Sequence, residues 1–120
     1  MSWLDSTLDA HSSAIEVNTA GLGLKGEDGK ELKTLMAKPL SAHEYQVLKN
    51  EPELRTLIGQ DKTELLGLRM TFEMLKKCDD SLKWGVFRQL PLTLIAELAQ
   101  RVSEAVGSPS ENGGGVLGEA

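Results

Sequence analysis

PLTLIAELAQRVSEAVG, residues 91–107, is the stretch that decides the fold class. Its apolar residues fall at Leu94, Ile95, Leu98, Ala99, Val102, Ala105 and Val106, a three-four spacing that lines one face of a helix. Glu97, Gln100, Arg101, Ser103 and Glu104 take the opposite side. Pro91 suits the first helical turn, where its missing N–H costs nothing. Gly107 suits the left-handed residue that ends a helix, and Pro109 blocks any continuation. The spacing predicts a helix over 91–106 whose stripe must be buried on the rest of the chain or on a partner.

Further helices are predicted upstream. Ser41-Ala42-His43-Glu44 has the form of a capping box, in which the Ser41 hydroxyl accepts from the Glu44 N–H while the Glu44 carboxylate reaches back. Leu40 and Tyr45 stand at the two positions of a hydrophobic staple, and the helix is expected over 42–50. A short helix over 52–58 presents Leu54, Leu57 and Ile58 and stops at Gly59. Asp61 reads as the cap of a helix over 62–78, striped by Leu65, Leu68, Phe72 and Leu75 and widened by Leu66, Met70 and Met74. Gly67 is its weak point, by about 1 kcal/mol relative to Ala. Asp79 or Asp80 is expected to cap a short helix over 81–89 containing Leu82, Trp84, Val86 and Phe87.

The credible strands lie within residues 14–40. Ile15 and Val17 alternate with polar neighbours. Leu22 and Leu24 alternate with glycines ahead of the turn Lys25-Gly26-Glu27-Asp28-Gly29-Lys30, where Asp28-Gly29 supplies residues that tolerate positive φ. The pattern predicts a β-hairpin over about 22–36, with 22–25 paired to 31–36. Two strands alone are marginal in water, so this hairpin must lean on the helices or on another chain. Residues 1–13 are a flexible end or a short helix carrying Trp3, Leu4 and Leu8. Residues 108–120, rich in Gly, Ser and Glu, read as a disordered tail. The expected architecture is α+β, mainly α: one domain over 14–107, with an N-terminal hairpin followed by a small bundle of four to five helices.

Composition narrows function by exclusion. Thirteen basic residues stand against 18 acidic ones, a net charge of −5, and no Lys or Arg cluster stands ready to neutralise phosphate. Nucleic acid and anionic membrane surfaces are therefore not expected partners. No apolar run approaches the ~20 residues that span a bilayer. The N-terminus, with Asp5 and Asp9, lacks the pattern of a signal peptide. One cysteine, Cys78, cannot form an internal disulfide, which fits a reducing cytoplasm.

No motif announces chemistry. Gly21-Leu22-Gly23-Leu24-Lys25-Gly26 matches the dinucleotide fingerprint by letter, but that fingerprint works only between a strand and a helix, and an acidic turn follows here. His43-Glu44 opens like a zinc-protease motif, yet Val47 occupies the position of the second ligand. His11 and Cys78 are distant from it in sequence. Asp79-Asp80 reads as a cap and its neighbour. We therefore expect no catalytic residue, no metal and no cofactor. Aromatic residues are scarce, and two of five lie close together at Trp84 and Phe87, with Leu90 following. Trp84, Phe87 and Leu90 are the candidate partner-binding residues, since Trp is enriched among the energetic anchors of interfaces; sealing the core is their alternative role.

From about Leu32 to Val106 the layout resembles the tail assembly chaperones of long-tailed bacteriophages. The likeness is carried by Ala37-Lys38-Pro39-Leu40-Ser41-Ala42-His43-Glu44-Tyr45, where a short strand runs into a Leu-Ser-x-x-Glu helix start. The central helix Leu65–Leu75, the acidic turn after it, Leu90-Pro91-Leu92 at the head of the last helix, and the Gly/Ser/Glu tail carry it further. The resemblance implies a non-enzymatic role in the host cytoplasm: holding the long apolar helices of a tape-measure protein, or another tail protein, in solution during assembly, as a possible homo-oligomer. It also implies a longer frameshifted form, for which Gly113-Gly114-Gly115 is the place to look. Two other readings use the same helices, as a structural or adaptor subunit of a larger virion assembly, or as a small helix-turn-helix regulator over about 62–106. The acidic charge weighs against the regulator.

Overall fold

A computed structural model describes residues 2–107. The elements run α1 (Trp3–His11), β1 (Ile15–Asn18), β2 (Thr34–Ala37), α2 (Ala42–Lys49), α3 (Pro52–Arg55), α4 (Gly59–Lys76), α5 (Trp84–Phe87) and α6 (Leu92–Val106). The fold is mainly helical. Among the described residues, one two-stranded antiparallel sheet precedes five helices and follows one. The expected tail lies outside the described residues.

Helix α4 organises the domain, packing against α2, α3, α5, α6 and β2. Phe72, Leu75, Phe87, Ile95, Leu98 and Val102 form one buried cluster with Val17 and Ala37 of the sheet. Helix α6 buries Ile95, Leu98 and Val102, the central line of the predicted stripe, and leaves Leu94, Ala99, Ala105 and Val106 half-buried at its margins. Pro91 is the N-cap of α6 with extended backbone, one position earlier than expected. Gly107, at φ 87°, ends α6, and its N–H donates to the Ser103 carbonyl at 2.9 Å.

The strand pairing is corrected. The ladder joins Ile15 to Ala37 and Val17 to Leu35 on the inner face, and Glu16 to Met36 and Asn18 to Thr34 on the outer face. Leu22–Lys25 is not a strand. Gly21 and Gly23 stand at φ 86° and 77°, a left-handed conformation that breaks a ladder. The tip alone resembles the expected hairpin: Lys25 bridges Glu31, and the Leu32 N–H donates to the Leu24 carbonyl at 2.8 Å. Gly29 takes positive φ in that turn, and Asp28 does not; its carboxylate accepts from the Lys30 N–H instead. Thr19 is fully buried and satisfied on both sides, donating its N–H to Lys33 and its hydroxyl to Leu32, each at 2.8 Å.

Helix boundaries depart from expectation where the cap is a different residue. Helix α3 is a single turn, so Leu57 and Ile58 lie in the link to α4, and Ile58 is 84% exposed. Helix α4 starts at Gly59 with Ile58 as cap, so Asp61 sits inside its first turn, where it still complements the helix dipole. The helix expected over 81–89 is only Trp84–Phe87, capped by Lys83. Asp79 therefore does not cap it. It closes a local turn, accepting from the Ser81 N–H at 3.1 Å and the Ser81 hydroxyl at 2.6 Å.

The capping box at Ser41 forms as predicted: the Glu44 N–H donates to Ser41 Oγ at 3.0 Å and the Ser41 N–H to Glu44 Oε1 at 2.7 Å. Lys77, just past α4, donates to that same Glu44 oxygen at 2.6 Å and to the Pro39 carbonyl at 2.8 Å. One ammonium thus ties the start of α2 to the end of α4. The hydrogen bond from Lys77, followed by the one from the Ser41 N–H, holds the Glu44 carboxyl below its ordinary value.

This tie should be visible in the pH dependence of stability. A depressed folded-state pKa contributes stability that is complete above the unfolded value of about 4.3 and is lost as pH falls through the lower folded value. Glu44→Gln should therefore lower Tm at pH 7 and flatten its decline below pH ~4, as read by calorimetry across that range. Separately, a methyl group on Gly67 would meet no atom within 4 Å. Gly67→Ala should stabilise the chain by about 0.5–1 kcal/mol in urea unfolding, and a loss would show that this face of α4 needs bare backbone.

Candidate partner-binding groove

Three aromatic rings meet where α4, α5 and the head of α6 converge. Phe72 lies 5.6 Å from Trp84 and 5.3 Å from Phe87, centre to centre, and Trp84 lies 6.0 Å from Phe87. Such spacings suit tilted and offset rings. Phe72 and Phe87 are buried, whereas Trp84 is half-buried and turns one side outward. That side borders a cleft of about 150 Å³ lined by Leu65, Leu68, Trp84, Arg88, Leu90, Leu92 and Ile95. Leu92 is 69% exposed and Leu90 is 36% exposed on its wall, and Val86 nearby on α5 is 63% exposed.

The groove is framed by charges that are already matched. Arg69, on the buried face of α4, donates to Glu51 at 2.7 Å and to Glu73 at 3.0 Å. Its guanidinium lies 4.9 Å from the centre of the Trp84 ring, and that of Arg88 lies 5.0 Å from it. Arg88 in turn grips Glu53 with two bonds, at 2.8 and 3.3 Å. Burial alone would make Arg69 easier to deprotonate, but the hydrogen bonds to Glu51 and Glu73 outweigh it and the net shift is upward. The Arg88 hydrogen bond holds the Glu53 carboxyl below its usual range. Trp84 adds a smaller pull without reaching hydrogen-bond geometry. Neither Arg69 Nε nor Trp84 Nε1 finds an acceptor among the described residues.

Of the three residues singled out from sequence, Trp84 and Leu90 line this groove. Phe87 does not. At 9% exposure it belongs to the core, where it supports Trp84 from behind. Sequence reasoning missed Leu92, which falls off the main stripe of α6, and Leu65 and Leu68, which read as core. It also missed Arg69, Arg88 and their carboxylates. One signal was available. Arg69 comes four residues after Leu65 and three before Phe72, so a cation interrupts the apolar stripe of α4 and demands partners there.

The motifs weighed for chemistry are scattered. His43 is exposed on α2, and Cys78 is half-buried after α4. His11 is exposed at the end of α1. Among the described residues no three His, Cys, Asp or Glu side chains are grouped to hold a metal ion. The glycines of 21–26 lie within the β1–β2 connection, not between a strand and a helix, and the Gly21 N–H already donates to the Glu31 carboxylate at 2.9 Å. No helix among the described residues is long and apolar enough to cross a membrane. No protein-family model matches the chain, and neither a curated protein nor a solved structure matches it.

The Arg69 network can be tested by its removal. Arg69→Ala leaves Glu51 and Glu73 without their shared cation and bares the inner side of Trp84. It should cost roughly 2–3 kcal/mol in denaturant unfolding and shift the Trp84 fluorescence to the red. A loss below about 0.5 kcal/mol would mean that the ion pairs contribute nothing beyond surface pairs.

Proposed function

We propose that this chain is a non-enzymatic assembly chaperone of a long bacteriophage tail, which shelters apolar helices of the tape-measure protein in the α4–α5–α6 groove. The observation that carries the reading is the groove itself: an indole, flanked by four leucines, an isoleucine and the ion-paired Arg88, left partly open to water between three helices. A groove of this kind suits the apolar face of an amphipathic helix, which inserts side chains at three-four spacing. Its charged neighbours are engaged with one another, Arg88 with Glu53 and Arg69 with Glu51 and Glu73, so the apolar side chains are left to do the binding. Burying a Leu side chain contributes roughly 1.5–3 kcal/mol, and an exposed residue such as Leu92 is where a client would gain most. The resemblance of residues 32–106 to tail assembly chaperones supplies the identity of that client.

Co-expression with the tape-measure protein of the same phage tests the reading. That protein should move from the pellet to the soluble fraction when this chain is present. Leu92→Asp should return it to the pellet while leaving the Tm of the chaperone unchanged within about 1 °C, since Leu92 is exposed. A tape-measure protein that stays equally insoluble with and without the chain would sink the proposal. Recovery of the chain in purified particles would favour a structural or adaptor subunit instead.

A further inference from the structure

Trp84 is half-buried at the edge of a groove, and its polar atom faces the wrong way for that position. An indole beside water ordinarily turns its N–H outward or gives it a partner. Here Trp84 borders the groove, yet Nε1 is shut off from water and meets no acceptor in hydrogen-bond geometry among the described residues. A buried donor left unmade costs its full desolvation. An inward N–H therefore calls for an acceptor close at hand.

Three carboxylates bind the two guanidinium groups that lie by the ring. Glu51 and Glu73 are turned to Arg69, at 2.7 and 3.0 Å. Glu53, from α3, is placed differently. Each of its oxygens accepts one bond from Arg88, at 3.3 and 2.8 Å, and that same guanidinium lies 5.0 Å from the centre of the indole. Arg88 thereby sets the Glu53 carboxylate beside the Trp84 ring. The Arg88 hydrogen bond lowers that carboxyl, and Trp84 is near enough to add its smaller pull. A carboxylate offers about four acceptor sites, so each Glu53 oxygen keeps a free one. The last torsion of a Glu side chain is broad, and a small turn about it carries a free site to the indole without moving backbone.

We propose that Glu53 is the positioning residue of the groove: its carboxylate accepts from Trp84 Nε1–H as well as from Arg88, and so fixes the side of the indole that stands beside Leu65, Leu68 and Leu90. Helix α3 gives no side chain to the groove lining, yet through Glu53 it seats the largest one there. Glu53 and Arg88 are 38% and 44% exposed, and an ion pair so exposed contributes little by itself. The buried N–H gives the carboxylate its hold, because that donor has no water to return to while the ring stays seated. The single turn α5 has no side-chain cap of its own to oppose it. That this seat serves a client helix rests on the groove reading of the proposed function; the hydrogen bond itself does not.

The experiment uses the full chain alone, so it reads the seat of the indole and not tape-measure solubility. Every sample carries Trp3→Phe, which leaves Trp84 as the single indole. Exchange of its ¹⁵N-bound proton with water is measured by NMR at pH 7, with the methyl signals of buried Val17 and Val102 as the check on folding. Glu53→Ala should speed that exchange roughly tenfold or more, the loss of one hydrogen bond to a charged group. Arg88→Ala removes the ion pair but leaves the acceptor, so exchange should stay slow. Glu53→Gln keeps the side-chain length and a neutral acceptor. In it the indole proton should move upfield, as a charge-assisted bond weakens to a neutral one. Exchange unchanged in Glu53→Ala, exchange sped as much by Arg88→Ala as by Glu53→Ala, or an indole proton unmoved in Glu53→Gln would each overturn the proposal.

Discussion

Most of this domain is built around α4, and the burial of Phe72 is the constraint at its centre. Phe72 is 1% exposed and meets Trp84 and Phe87 directly, while the same helix carries α2, α3, α5, α6 and β2. A chain with five aromatic residues has few large side chains with which to fill a core. Placing three of them together solves the packing problem at one point and leaves the rest to Leu, Ile and Val. It also brings the single turn α5 onto the core. That turn has no side-chain cap and contains Gly85, so local propensity contributes little to it, and the rings of Trp84 and Phe87 hold it in place.

The same arrangement exposes part of Trp84. The indole stays half-buried, and the single turn α5 that carries it does not cover it. Arg69 and Arg88 lie over the ring with their carboxylate partners, so each charge is paired within the fold while Arg88 itself borders the groove. Packing and the proposed binding role meet in one residue. The inner side of Trp84 belongs to the core, and its outer side is the wall of the groove.

Much of this was legible because it depends on neighbours in sequence. The α6 stripe, the capping box at Ser41 and the mainly helical class follow from three-four periodicity and cap chemistry, both local. The departures share a cause as well. Leu22 and Leu24 carry the alternation of a strand, but Gly21 and Gly23 turn the backbone left-handed, and Ile15–Asn18 pairs with β2 instead. Asp61, Asp79 and Asp80 each have the chemistry of a cap. Which carboxylate caps, and which merely lies within a turn, depends on where the preceding segment enters the helix, and packing sets that.

By itself the sequence determined where helices can form, which faces of them are apolar, and that no familiar constellation of catalytic or metal-binding residues is spelled out, because each of these is written in short spacings along the chain. Only the tertiary structure decided that Phe87 is core while Leu92 is surface, that Arg69 bridges two carboxylates beneath an indole, and that Leu65 and Leu68 border a groove with Leu90. These pairings join residues far apart along the chain. They are set by how three helices of unequal length share a limited supply of large side chains, and no local pattern encodes that competition.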